Sequence, residues 1–93
     1  MSSYPPLNSL RAFEASIRLN SFSRAAEELN VTPGAVGQQI RKLEDWLGVE
    51  LFVRSVRQVK PTADGLDYAA RISPALLQII DASQHLRGQR EHT

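Results

Sequence analysis

Five cations, Arg41, Lys42, Arg54, Arg57 and Lys60, fall within one short stretch of this sequence, whereas the acids are spread along the rest. Just ahead of them, Gly34, Gln38 and Arg41 are spaced by four and three residues, with Gly37 beside them. On a helix that spacing gathers them on one face, small, amide-bearing and basic. A glutamine amide pairs with the edge of adenine, a guanidinium forks onto guanine or a phosphate, and a glycine lets a backbone come close to another surface. Each glycine inside a helix costs about 1 kcal/mol relative to alanine, so the pair calls for a reason. Close approach to a nucleic acid is one, and tight packing against a protein neighbour is the other.

Other chemistries find less support. Glu27, Glu28, Glu44 and Asp45 are expected on exposed helix faces, without a nucleophile, metal cluster or phosphate loop nearby, so no enzymatic activity is expected. The chain has no cysteine, which excludes disulfides and thiolate metal sites. His85 and His92 lack ligand-type spacing and read as surface groups; no metal and no cofactor is expected. There is no apolar run of membrane-span length, and the start lacks the basic-then-apolar pattern of a signal peptide. A soluble cytoplasmic protein, without membrane contact, is the expectation. The net charge of +1 argues only weakly for a polyanionic partner, so local field must do the binding.

The elements that must position these residues follow from periodicity. Leu10, Phe13 and Ile17 make an apolar stripe on a first helix over residues 7–19, entered after Pro5-Pro6 and ended at Asn20-Ser21. A short second helix carries Ala25, Ala26 and Leu29. Asn30, tolerant of a left-handed backbone, ends it, and Val31 is expected to plug the turn. Thr32-Pro33 restarts the chain as N-cap and first helical residue. The third helix runs to Leu47 and is closed by Gly48, with Val36, Ile40, Leu43 and Leu47 as its buried face. Residues 50–53 and 58–60 suit two short strands with a tip between them, and Pro61 ends the second.

From Thr62, a good N-cap, helical period resumes. Gly65, Ala69, Ile72, Leu76, Ile79, Ser83 and Leu86 follow the 4-3-4-3 spacing of a coiled-coil seam. Pro74 either kinks this helix or begins a second one capped by Ser73; a single kinked helix is favoured. Trp46 is expected to pack against the hairpin or a neighbouring helix, and sequence does not decide whether Tyr68 lies on the last helix's surface or in a contact.

Two short helices joined by a tight Asn-Val-Thr turn form a helix-turn-helix signal spanning Phe22 to Arg41. The order helix, helix-turn-helix, hairpin, long helix predicts a mainly α fold: a winged helix-turn-helix of three helices and a two-stranded wing, followed by a long linker helix. The run Ser21-Phe22-Ser23-Arg24-Ala25-Ala26-Glu27-Glu28-Leu29, then Val31-Thr32-Pro33-Gly34-Ala35-Val36 and Gln39-Ile40-Arg41-Lys42-Leu43-Glu44, resembles the N-terminal domain of LysR-type transcriptional regulators. So does Leu47-Gly48-Val49-Glu50-Leu51-Phe52-Val53-Arg54, with Thr62 and Gly65 beyond it. The resemblance covers the chain from Leu7 to about Leu86.

It implies that the third helix enters a major groove, with Thr32, Pro33, Gly34, Gln38 and Arg41 on DNA and Arg54 reaching DNA from the wing. It also implies that Ala26 and Val36 set the crossing of the second and third helices. Thr32, Pro33, Gly34, Gln38, Arg41 and Arg54, with Ser23, Gly37, Arg57 and Lys60, make the expected DNA-binding set. Gly37 departs from the family's usual serine or threonine, Gln58 from a frequent glycine and Pro61 from a common leucine.

The expected organisation is a DNA-binding domain over residues 1–61, a linker and dimerisation helix over 62–88 and a polar tail over 89–93, without the effector-binding domain that family members usually carry. Expected partners are double-stranded DNA, read as an interrupted inverted repeat, and a second copy of the chain. A small-molecule effector is expected only of a longer chain. The seam residues Ala69, Ile72, Leu76, Ile79, Ile80 and Ser83 are the expected homodimer interface, in an antiparallel or crossed pair, with parallel packing as the alternative. A winged-helix module whose third helix packs on another protein is the competing function.

Overall fold

The structure is a computed structural model and describes residues 3–56 and 58–91. Its elements are α1 (Leu7–Leu19), α2 (Phe22–Leu29), α3 (Pro33–Leu47), β1 (Phe52–Arg54), β2 (Val59–Pro61) and α4 (Ala63–Glu91). The predicted winged helix-turn-helix with a long last helix is the fold observed.

Local chemistry sets the helix ends. Asn20 and Asn30 close α1 and α2 in the left-handed region at φ 53° and 58°, and Gly48 closes α3 at φ 78°. The hydroxyl of Ser21 accepts the N–H of Arg24 at 3.1 Å and that of Thr32 accepts the N–H of Ala35 at 3.1 Å, capping α2 and α3. Thr62 caps α4 by accepting the N–H of Gly65 at 3.0 Å, and its own hydroxyl donates to the carbonyl of Glu50 at 2.8 Å.

The core lies where α1, α2 and α3 meet the base of the wing. Phe13, Ala25, Val36, Ile40, Leu43 and Leu51 are fully buried there. Phe13 meets Phe52 edge-on with ring centroids 5.9 Å apart and Tyr68 at 5.6 Å, and Phe52 in turn meets Phe22 edge-on at 5.3 Å. Ser9 of α1 donates to Gln39 of α3 at 2.8 Å. Arg18 ties α1 to α2 on the surface through Glu14 and Glu28, and its guanidinium holds the Glu28 carboxyl below its usual range.

Three expectations are corrected. The strands are antiparallel, with Phe52 opposite Pro61, Val53 opposite Lys60 and Arg54 opposite Val59, and each lies later than the hydropathy pattern suggested. Leu51 donates its N–H to a side chain of α3 instead of the ladder, so pairing begins one residue on. Val31 does not plug its turn: it is 47% exposed, because a backbone bond from its own N–H to the Ala26 carbonyl, 3.0 Å, holds the turn. Helix α4 runs as a single helix through Pro74, as favoured, but continues past residue 88, where a polar tail was expected, to Glu91, with a side-chain contact of 3.1 Å between His85 and Gln89 in its last turns. Tyr68, which the sequence left open, is partly buried and packs against the core. Trp46 is 42% exposed and outside the core cluster.

Candidate nucleic-acid interface

Because Val36, Ile40 and Leu43 point into the core, the opposite side of α3 is turned outward. Pro33, Gly34, Gln38 and Arg41 lie exposed on it, and among the described residues no side-chain hydrogen bond or ion pair engages Gln38 or Arg41. Thr32 is exposed at its N-terminal end. Its hydroxyl oxygen caps the helix and its proton remains free to donate to an acceptor outside the chain.

The two glycines of this helix have no packing reason within the subunit. A Cβ on Gly34 would come no closer than 3.9 Å to Thr32 Oγ1, and one on half-buried Gly37 would meet Phe22 Cε2 at 4.0 Å. The fold would accept alanine at either position, so the smoothness they confer is available to an outside surface.

An open groove of about 680 Å³ lies between the start of α2 and the wing. Ser21, Phe22 and Ser23 line one side, and Ser55, Val56, Gln58 and Lys60 the other. Ser23 and Lys60, some forty positions apart in sequence, thus border one trough. Hydroxyls and an ammonium along a groove are donors suited to phosphate oxygens. Arg57 lies outside the described residues.

Arg54 is not the free wing cation expected of it. Its Nη1 donates to Glu44 Oε1 at 3.1 Å, and its guanidinium lies 5.9 Å from the centroid of the Phe22 ring. Its Nη2 is buried and has no hydrogen-bond partner among the described residues. Glu44, expected on an exposed face, is buried instead, at 8% exposure, and its other oxygen accepts the N–H groups of Leu51 at 2.7 Å and Phe52 at 3.2 Å.

Sequence reasoning missed this carboxylate because it looked for charges at the surface. One signal was available: the helix stops at Gly48 and the chain turns straight back, leaving the amides of the following segment in need of an acceptor near the end of α3.

The expected dimer seam is divided. Ala69, at 6% exposure, is part of its own subunit's core and is withdrawn from the interface, and Ile72 and Leu76 are half-buried against that core. The reason is Gly65, where a Cβ would stand 2.1 Å from the carbonyl oxygen of Leu51, so that α4 lies directly on the wing's base and its first turns are spent there. Ile79, Ile80 and Ser83 are exposed, as are Leu66, Leu77 and Leu86. No helix among the described residues is long and apolar enough to cross a membrane.

Residues 7–66 match the family model described as bacterial regulatory helix-turn-helix protein, lysR family. The chain is 46% identical over 85 residues to the glycine cleavage system transcriptional activator of Escherichia coli strain K12, a match that covers 91% of this chain and 28% of that protein. Among solved structures it is similar to a Corynebacterium glutamicum OxyR C206S mutant bound to H2O2, with 28% identity, a TM-score of 0.86 and coverage of 95% of this chain and 27% of that one. It is also similar to the CbnR DNA-binding domain in a complex with DNA, with 26% identity, a TM-score of 0.78 and coverage of 90% and 97%. The chain therefore spans little more than a quarter of the length of its full-length relatives. With a family model matched across most of its winged fold, and a curated regulator matched across nearly all its length, this chain belongs to the LysR family of bacterial helix-turn-helix regulators.

Proposed function

We propose that this chain binds duplex DNA sequence-specifically as a homodimer, each subunit laying α3 into a major groove of an interrupted inverted repeat. The observation that carries the reading is the outward face of α3. Gly34, Gln38 and Arg41 stand exposed there, the two side chains without partners in the fold, and the glycines answer to no packing need. Gln38 and Arg41 read base edges. Thr32, Pro33, Gly34 and Gly37 bring the helix start close to the backbone, while Ser23, Arg57 and Lys60 hold phosphates. The dimer symmetry spaces the half-sites by one helical turn or a multiple of it.

The second copy docks on the exposed side of α4. Exposed Leu66, Ala70, Leu77, Ile80 and Gln84, with half-buried Ser73, keep the 4-3-4-3 spacing of a heptad seam, displaced by one residue from the stripe that packs on the subunit's own core. The protein works in the bacterial cytoplasm and catalyses nothing; sensing of a small molecule is placed outside the part of the family's length spanned here. Gel retardation of random duplex at low salt, lost as salt rises, is the expected result. Failure to retard any duplex, together with capture of α3 by a protein partner, would instead favour the protein-interaction module.

A further inference from the structure

We propose that Glu44 is a positioning residue for this interface: it holds Arg54 inside the fold against Phe22 and so sets the angle of the wing to the recognition helix. The inference rests on the DNA-binding reading above and assigns Arg54 a role different from phosphate contact. Three elements converge on the pair. Glu44 belongs to α3, and through one oxygen it receives both amides that lead into the wing. Through the other it receives Arg54, at the far end of β1. The guanidinium then lies by the ring of Phe22, the first residue of α2, and Phe22 packs edge-on against Phe52 at the wing's base. A single carboxylate therefore joins recognition helix, wing and the start of α2.

Arg54's side chain is only 26% exposed and its Nη2 is shielded from solvent, so that nitrogen is closed to a phosphate. The planar fork matters here for a reason that charge alone does not supply. It bonds a carboxylate in plane while presenting a flat side to an aromatic ring, and a lysine ammonium does not reproduce that arrangement. The outcome is a wing whose exposed donors, Lys60 among them, are aimed by a buried pair that itself touches no DNA.

The test compares the 93-residue chain with its Glu44→Gln, Arg54→Lys and Arg54→Gln variants on two probes: a duplex enriched from a random pool by the wild-type chain, and bulk random duplex. Each variant is expected to lose about 10-fold in affinity for the enriched duplex, to stay within about twofold of wild type on random duplex, and to keep the wild-type salt slope. Arg54→Lys carries the most weight. If Arg54 simply supplied charge to a phosphate, lysine would bind as wild type does while Arg54→Gln lowered the slope by about one contact, and the proposal would be overturned. An equal loss on both probes also overturns it, since that is what general loosening of the fold produces. Should Glu44→Gln fail to fold by circular dichroism, Arg54→Lys and Phe22→Leu give the same two-probe comparison. A wild-type chain that retards neither probe defeats the DNA-binding reading itself; one that binds while its variants match it defeats only the role of Glu44.

Discussion

Gly65 and Gly34 both stand inside helices, and opposite constraints hold them there. At Gly65 the neighbour is the Leu51 carbonyl, 2.1 Å from where a Cβ would sit, and backbone does not yield as a side-chain tip would. Gly65→Ala should therefore cost about 1–3 kcal/mol of stability, read as a lower urea midpoint. At Gly34 the nearest atom is 3.9 Å from that position. Gly34→Ala should leave the fold intact and raise the midpoint by up to about 1 kcal/mol of helix propensity, while weakening DNA retardation. Unchanged retardation would remove Gly34 from the contact surface. Gln38→Ala should relax base preference at one position per half-site, a discrimination of about 1–3 kcal/mol, measured by competition among single-base variants of an enriched duplex. The exposed α3 residues were legible from spacing, since helical period alone separates Gln38 and Arg41 from Ile40. Glu44 was not, because residue type predicts a solvated carboxylate and only the fold brings three donors to it.

Among the elements, α4 departs most from what periodicity suggested. Both the core stripe through Ala69 and the exposed ridge through Leu77 obey heptad spacing, and a one-dimensional pattern does not say which of two adjacent seams meets the subunit's own core. Its first turns also carry Tyr68, whose packing beside Phe13 raises the phenol pKa above its ordinary value. A phenol that holds its proton more tightly when folded contributes stability that is complete below the unfolded pKa and is lost as pH rises through the folded one. Tyr68→Phe should thus leave the urea midpoint nearly unchanged at neutral pH and flatten its decline above the usual tyrosine range. An unaltered alkaline limb would show that Tyr68 ionisation contributes nothing to it. The wing was legible as a hairpin and misplaced along the chain, because strand propensity does not know that Glu44 takes the amides of Leu51 and Phe52.

At the scale of the molecule, the principal extents are 54 × 29 × 23 Å, and α4 supplies the long dimension, with 29 residues rising about 1.5 Å each. A helix that outreaches its domain, with Leu77, Ile79, Ile80 and Leu86 exposed along it, suits a second copy. Leu77→Asp should shift the chain to monomers by analytical ultracentrifugation and weaken binding to a two-half-site duplex far more than to one half-site; a persistent dimer would rule out this ridge. Lys60→Ala should lower affinity on all sequences and reduce the salt slope by about one phosphate contact, and an unchanged slope would take Lys60 off the backbone.

Local chemistry written in the sequence determined where the first three helices begin and end, because Ser21, Asn30, Thr32, Pro33 and Gly48 each satisfy or terminate a helix through bonds within a few residues of themselves. It also determined which side of α3 faces outward. What only the tertiary structure decided is how Arg54, Glu44, Tyr68 and Ala69 are used. Their roles depend on neighbours distant along the chain, and burial turns a charge or a small residue that would otherwise sit in water into a part of the frame.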